Sequence, residues 1–213
     1  PLYGWMALQK PEPPADPTDT VGISERIRAD GGVISELDEN EVREAVKGLV
    51  ERGVESLAIG FLNSYVNPDH EVRVREIVER ELPGLPVSVS HEVAPIWREY
   101  ERTSTTIADA YLKPLMGRYV ESLIRTLSAA NLGVPLTIMK SNGGAMLARA
   151  AAEHPIQTAQ SGPSGGMLVA AALGVQAGEP DLLTLDMGGT SADVGIIRQG
   201  EQRHTTEYEI EWG

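Results

Sequence analysis

Two apolar runs joined by an acidic glycine turn constrain this chain most. Leu182-Leu183-Thr184-Leu185 leads into Asp186-Met187-Gly188-Gly189-Thr190-Ser191-Ala192-Asp193, and Val194-Gly195-Ile196-Ile197 follows, ending at Gln199-Gly200. Short aliphatic and β-branched runs bounded by glycine predict strand, turn, strand. The two runs should pair as antiparallel neighbours, with Gly188 to Ser191 at the turn. Glycines let backbone N–H groups approach an anion closely, and the hydroxyls of Thr190 and Ser191 add donors. Asp186, at a strand end, suits Mg²⁺ held through water, or the orientation of an attacking water. The same residues also suit a plain hairpin turn with a polar rim, because Gly-Gly is a common hairpin signal. Local pattern leaves both readings open.

Two more glycine pairs lie close by in sequence. Gly143-Gly144 follows Ser141-Asn142, at the end of a predicted strand, Leu136 to Met139. Gly165-Gly166 closes Ser161-Gly162-Pro163-Ser164 and opens a predicted helix with Met167, Leu168, Ala171 and Ala172 inward. In open α/β sheets ligands collect beyond strand C-termini, and free N–H groups at a helix start attract anions. The bland alternative is close chain packing, with Ser161 or Ser164 as an N-cap. Gly162 to Gly166 also satisfies G-x-S-x-G, with Asp186 or Asp193 and then His204 following in Ser–Asp–His order. The preceding Pro155 to Gln160 makes a poor central strand, so this nucleophile-elbow reading ranks below the others.

The remaining chemistry is sparse. His70, His91, His154 and His204 are scattered, and Pro95 breaks an H-E-x-x-H pattern begun at His91. There is no cysteine, which excludes disulfides and thiolate metal sites and fits a cytoplasmic protein. A net charge of −13 argues against nucleic acid as a partner. It would also repel a nucleotide, so any phosphate site must be built locally from amides or a cation. No run approaches the 18 or so apolar residues of a membrane span. The chain begins at Pro1 rather than Met, consistent with a piece of a longer polypeptide.

Residues 1–20 carry five of the fourteen prolines and read as an extended connector. Gly31-Gly32 marks a turn. Asp38 should cap a helix, with Glu41 as its capping-box partner, Val42, Ala45, Val46, Leu49 and Val50 inward, and Gly53 at its end. Ser56 to Leu62 reads as a buried strand. Asn67-Pro68 opens a second helix carrying Val74, Ile77 and Val78. Pro86 to Ser90 is the next strand, so this region should hold a parallel pair. A long helix is predicted from Thr103 to Ala130, kinked at Pro114. Ile107, Tyr111, Leu115, Tyr119, Leu123 and Leu127 recur every four residues along it and are expected to be its buried face. Glu99, Glu101 and Arg102 read as a solvated first turn matched to the helix dipole. Trp97 with Arg98 reads as a rim aromatic.

Four segments together resemble the hydantoinase A / 5-oxoprolinase family. They are Glu99-Tyr100-Glu101-Arg102-Thr103-Ser104-Thr105-Thr106, continuing through Ala110-Tyr111-Leu112 to Pro114; Ser141 to Gly144; Ser161 to Gly166; and Asp186 to Val194. They fall in the family's order and spacing. The resemblance implies an α/β, ribonuclease-H-like fold of the actin/hexokinase/Hsp70 ATPase type, present here in part. Residues 21–100 would end the family's N-terminal α/β domain, and residues 101–213 would begin its ATPase domain. It implies ATP and Mg²⁺ as cofactors, and ATP-driven activation of a carbonyl for ring opening of a cyclic amide, such as a hydantoin or 5-oxoproline. Related members are acetone carboxylase subunits. On this reading Gly188, Gly189, Thr190, Ser191, Gly165 and Gly166 line the nucleotide site. Asp186 holds Mg²⁺ through water, and Asp193 orients water or metal. Ser141, Asn142, Gly143, Gly144 and Ser161 face the substrate, a cyclic amide or a ketone. The implied partner is a second subunit of the hydantoinase B type, or another copy of the chain. Only one D-x-G-G-T is present, Asp186 to Thr190, where the family pattern has an earlier one on a facing lobe. A module inactive on its own is therefore the alternative from another class.

Overall fold

The computed structural model describes residue 13, residues 15–189 and residues 192–202. It is a mixed α/β protein. The chain divides inside one long helix into two compact units, one ending at Ala110 and one beginning at Tyr111.

The first unit opens with a small antiparallel hairpin, β1 (Arg26–Ile27) and β2 (Val33–Ser35), turning at Gly31 with φ 85°. Helix α1 spans Glu39–Glu51, strand β3 Leu57–Ile59, helix α2 Asp69–Glu81 and strand β4 Val87–Val89. Strands β3 and β4 are parallel, in the register Leu57↔Val87 and Ile59↔Val89. Parallel strands need a crossover, and α2 is that crossover. The core is Val42 and Leu49 from α1, Leu57 and Ile59, Val74, Ile77 and Val78 from α2, and Val89. The helical spacing read from the sequence thus selects the buried residues. Asp38 caps α1, accepting from the N–H groups of Asn40 and Glu41 at 3.0 and 3.1 Å, and Gly53 ends it at φ 90°. The other half of the expected capping box does not form. Glu41 instead accepts from the N–H of Ser24 at 2.6 Å, and the N–H of Asp38 goes to the carbonyl of Ser24. The side chain serves the incoming strand rather than its own helix.

Both parallel strands are shorter than the apolar runs that encode them. Strand β3 stops at Ile59 because the Phe61 backbone is claimed by side chains. Its N–H donates to Glu71 Oε1 at 2.8 Å and its carbonyl accepts from Arg102 at 2.9 Å. Strand β4 stops at Val89, where the short helix α3 (Ser90–Val93) begins.

Helix α4 runs from Glu99 to Ala129, with Pro114 inside it. The face expected from the four-residue repeat is not its buried face: Tyr111, Leu115 and Tyr119 are 68, 46 and 56% exposed. The reason is geometric. At 3.6 residues per turn a step of four overshoots a full turn by roughly 40°, so five steps carry the stripe about halfway round the helix. The buried positions are Arg102, Thr106, Asp109, Ala110 and Val120. Arg102, expected in solvent, is 1% exposed.

The second unit contains the hairpin β5 (Thr137–Met139) and β6 (Ala145–Leu147), the short helix α5 (Ala148–Glu153), helix α6 (Ser161–Ala177), and an antiparallel sheet ordered β7 (Leu182–Met187), β8 (Ala192–Arg198), β9 (Glu201–Gln202). The expected hairpin is present, with Leu182 opposite Ile197, Leu185 opposite Val194 and Asp186 opposite Asp193. Gln199 and Gly200, at φ 54° and 78°, make the turn into β9. Helix α6 lies on one face of this sheet with Ala171 and Gly174 buried. Ala172, expected inward, is exposed. Among the described residues no helix is long and apolar enough to cross a membrane.

Candidate functional site

The three glycine segments converge at the start of α6. Gln160, just before the helix, is left-handed at φ 57° and ψ 24°. That conformation is uncommon for a residue with a side chain. It turns the chain sharply from a 3-10 turn, Pro155–Thr158, into the helix. Ser164, in the first turn, donates from Oγ to the carbonyl of Ser141 at 2.6 Å. This ties α6 to the β5–β6 turn. Ser141 is itself anchored, its N–H and Oγ both donating to the carbonyl of Gln157 at 2.7 and 2.8 Å. Asn142 Oδ1 accepts from the N–H of Gly144 at 3.0 Å, and Gly143 sits at φ 81°. The Ser141 to Gly144 segment is therefore a tight hairpin turn whose polar groups largely serve the turn.

Asp186 and Asp193 face one another across β7 and β8. Strand alternation puts both on the α6 side of the sheet, with Thr184, Gly195 and Ile197. Like charges directly opposite on a sheet repel. A Cβ on Gly166 would lie 3.8 Å from Asp186 Oδ2. The end of β7 and the second turn of α6 thus share one polar corner. Gly165 has a packing role: its Cβ would meet Met139 Sδ at 2.7 Å. Gly143 is similar, with Gln202 Nε2 at 2.7 Å and Leu168 Cδ1 at 3.1 Å from a Cβ there. Around Gly189 a Cβ would meet nothing within 4 Å among the described residues. Its φ is not in the left-handed region, so this glycine does not supply an unusual backbone angle. Gly188 lies beside it, after the last residue of β7. Thr190 and Ser191 lie outside the described residues, as does His204. Ser161 is the first residue of α6, and no side chain caps that helix.

The nucleophile-elbow geometry is absent. The segment before Ser164 is a 3-10 turn rather than a strand, and Ser164 sits within the helix, its Oγ directed at backbone carbonyls. The described residues contain no group of three or more potential metal ligands. His70 pairs with Glu25 at 2.9 Å, and His91 with Glu71 at 2.7 Å. Trp97 is 66% exposed with Arg98 stacked 5.8 Å from its ring centroid, as a rim aromatic should be.

A buried polar cluster in the first unit escaped the sequence reading. Glu71 is fully buried. Its Oε1 accepts from Ser90 Oγ at 2.6 Å as well as from Phe61, and its Oε2 accepts from the N–H of His91 at 3.0 Å. Arg102 Nε donates to the same Ser90 Oγ at 3.2 Å, and its other nitrogens reach the carbonyls of Ile96 and Phe61 at 2.6 and 2.9 Å. The Ser90 proton is spent on Glu71, so Ser64 Oγ, 3.0 Å away, must donate to Ser90. Buried Asp109 is held by Ser88 Oγ at 2.7 Å. The available signal was Glu71 itself, a charge in line with Val74 and Val78 on the apolar face of α2.

These features describe a mixed α/β protein whose glycine turns and paired aspartates meet at one corner of a helix and a sheet. Residues 102–212 match the hydantoinase/oxoprolinase family, and residues 2–82 match that family's N-terminal region. The chain belongs to the hydantoinase/oxoprolinase family. It is 37% identical over 182 residues to the caprolactamase subunit alpha of Pseudomonas jessenii, covering 84% of this chain and 26% of that one. It is 35% identical over 205 residues to a protein of Methanocaldococcus jannaschii, covering 96% of this chain and 30% of the relative. A nucleotide-free structure of acetone carboxylase superimposes with a TM-score of 0.73 at 32% identity, covering 84% of this chain and 26% of that one. The chain thus spans between a quarter and a third of the length of these relatives.

Proposed function

We propose that this chain is part of an ATP-dependent enzyme that activates the carbonyl of a cyclic amide for ring opening. The observation that carries the reading is the Asp186–Asp193 pair, opposed across β7 and β8 beside Gly166. Two carboxylates on one face suit Mg²⁺, which binds through one or two carboxylates and keeps several waters. Mg²⁺ bound there would neutralise charge on ATP phosphates. Amides at Gly188 and Gly189 would bind the phosphates, with the hydroxyls of Thr190 and Ser191 as further donors. Asp193 would orient water or metal. Gly165 and Gly166 would keep the helix start open to the nucleotide, while Ser141, Asn142, Gly143, Gly144 and Ser161 would border the substrate. The fold we read is of the ribonuclease-H-like ATPase type. Relatives named as a caprolactamase subunit and an acetone carboxylase support both ATP dependence and a partner subunit. A hydantoinase B type chain is our choice of partner. We read the enzyme as cytoplasmic.

A second reading is a segment of an acetone-type carboxylase, supported by the structural likeness to acetone carboxylase. Both readings use the same phosphate corner and differ in the carbonyl attacked. The test uses the full-length polypeptide with its partner. ADP release should depend on a lactam, hydantoin or 5-oxoproline, and on a ketone with bicarbonate only for the carboxylase. In either case Asp186→Ala should lower kcat by about 10²-fold or more, with a much smaller change in ATP affinity. Wild-type turnover by a normally folded Asp186→Ala variant would show that Asp186 is not catalytic.

A further inference from the structure

The turn between β5 and β6 carries a cation that is unmatched among the described residues. Lys140 follows β5, its N–H donating to the carbonyl of Gly144 at 2.7 Å and its carbonyl accepting from the N–H of Gly143 at 3.0 Å. A Cβ on Gly144 would lie 3.9 Å from Lys140 Cδ and 3.1 Å from Asn142 Oδ1. The lysine stem therefore runs along the Asn142–Gly144 turn, on a backbone tied at both its N–H and its carbonyl. Its ammonium has no hydrogen-bond or ion-pair partner among the described residues. Arg118, Arg125, Arg149 and Arg198 of the same unit are exposed, whereas Lys140 is half-buried. It is also the only Lys or Arg within, or next to, the segments Ser141 to Gly144, Ser161 to Gly166 and Asp186 to Val194. In a chain of net charge −13 carboxylates are plentiful, yet none meets this one. A cation drawn partly out of water gains from an anionic partner.

We propose that Lys140 reads a carboxylate on the substrate, so that the cyclic amide opened here is one bearing an acidic group on its ring. The inference rests on the proposed function, in which Ser141, Asn142, Gly143 and Gly144 border the substrate. Alternation along β5 separates Lys140 from the nucleotide. Met139 meets Gly165 of α6, where a Cβ would lie 2.7 Å from its Sδ. Lys140, the next residue, continues the ladder through its bond to Gly144 and points to the other side of the hairpin. The ammonium is thus turned away from Gly165 and Gly166, which we assign to the nucleotide, while its stem stays on the turn that borders the substrate. Lysine is a compact charge on a flexible stem, with three donors that can follow a carboxylate on rings of different size. A site built to bond a polar group rejects the analogue lacking it more strongly than an apolar pocket rejects a missing methylene. Lys140 would therefore set specificity by charge, not by ring size.

The test compares 5-oxoproline with 2-pyrrolidinone, the same lactam ring without the carboxylate, on the full-length polypeptide with its partner. ADP release gives kcat and KM, and isothermal titration calorimetry gives binding without turnover. The parent enzyme should prefer 5-oxoproline. Lys140→Gln should lower kcat/KM for 5-oxoproline by about 10- to 100-fold, the loss of one charge-assisted hydrogen bond, mainly through KM. It should leave 2-pyrrolidinone and the KM for ATP within about twofold of the parent. Lys140→Arg keeps the charge and should recover much of the loss. Equal losses on both amides would make Lys140 a support of the turn and overturn the proposal. A raised KM for ATP would overturn it by making Lys140 a phosphate ligand, and a raised KM for bicarbonate with a ketone would give the lysine to the carboxylase reaction instead. Turnover of 5-oxoproline with no dependence on Lys140 would sink this inference and leave the proposed function standing. Lys140-dependent binding of 5-oxoproline without turnover would sink the proposed reaction and keep the carboxylate site. Neither binding nor turnover of 5-oxoproline by the parent would sink both.

Discussion

The two units bury their apolar residues to very different degrees. The first closes a parallel strand pair between two helices, and its large aliphatic residues from Val42 to Val89 are sealed from water. It even buries charge, with Glu71 and Arg102 joined through Ser90. The second buries Val120, Ala148, Ala151, Ala171 and Ile197, while leaving a whole sheet face and Val169, Leu173 and Val175 of α6 exposed. Its sequence is no less apolar. The difference teaches that the first unit holds its own apolar partners, whereas the second leaves one face of its sheet uncovered among the described residues. Four substitutions test that contrast, taken from the largest expected effect to the smallest.

Arg102→Ala should be the most damaging. It removes the guanidinium that donates to Ser90 Oγ beside the fully buried Glu71, and strips the Phe61 and Ile96 carbonyls of that donor. Each acceptor left without its donor in a buried setting costs about 1–3 kcal/mol, and two carbonyls lose theirs at once. Urea denaturation should show the loss, with protection from hydrogen exchange falling first around Phe61, Ser90 and Ile96. An effect below about 1 kcal/mol would mean that the cluster is hydrated and that the first unit is less closed than described.

Gly195→Ala should be next. A Cβ there would meet Thr184 Oγ1 and lie 2.6 Å from Met167 Sδ. Overpacking of this kind costs about 1–3 kcal/mol. The loss marks the inner face of the sheet as truly packed on α6, in contrast to the outer face. A neutral result in thermal melts would remove that contrast.

A smaller effect with a definite pH dependence is expected at Glu39. Hydrogen bonds from Arg73 first, and Arg43 second, hold its carboxyl below the usual carboxylate range. A depressed folded-state value means that the stabilisation is present above the unfolded-state value of 4.5 and is lost as pH falls through the lower folded-state value. Glu39→Gln should therefore lower Tm slightly at pH 7, and the difference should vanish in acid. The groups are substantially exposed, so salt should weaken the effect as well.

Much of the local structure was legible in the sequence, because local rules dominate where a segment supplies its own partners. The α1 and α2 apolar spacings, the caps at Asp38 and Gly53, and the β7–β8 register follow from periodicity and turn chemistry alone. What was not legible depends on distant chain. Glu41 serves Ser24, seventeen residues away, and Arg102 reaches Phe61 across forty-one. The buried face of α4 was misread because a four-residue repeat is not a helical period. At the candidate site, the pairing of Asp186 with Asp193 followed from the predicted hairpin. The link from Ser164 to Ser141 and the nearness of Gly166 to Asp186 are tertiary, and no local pattern encodes them.

Leu185→Ser is expected to have the smallest effect on the 213-residue chain, and it is the most direct test of the contrast. Leu185 is 62% exposed, so little apolar surface is removed from a buried environment. Replacing a buried aliphatic such as Ile77, only 1% exposed, by alanine removes buried methyls and leaves a cavity, at about 2–5 kcal/mol. Leu185→Ser should instead stay within about 0.5 kcal/mol of the parent, the ordinary range for surface substitutions. Any net loss would come from the β-propensity of serine on an exposed strand. Solubility should rise, because the substitution breaks a continuous apolar patch. A loss above about 2 kcal/mol in urea denaturation of the 213-residue chain would mean that Leu185 is covered within this chain. The second unit would then be as closed as the first.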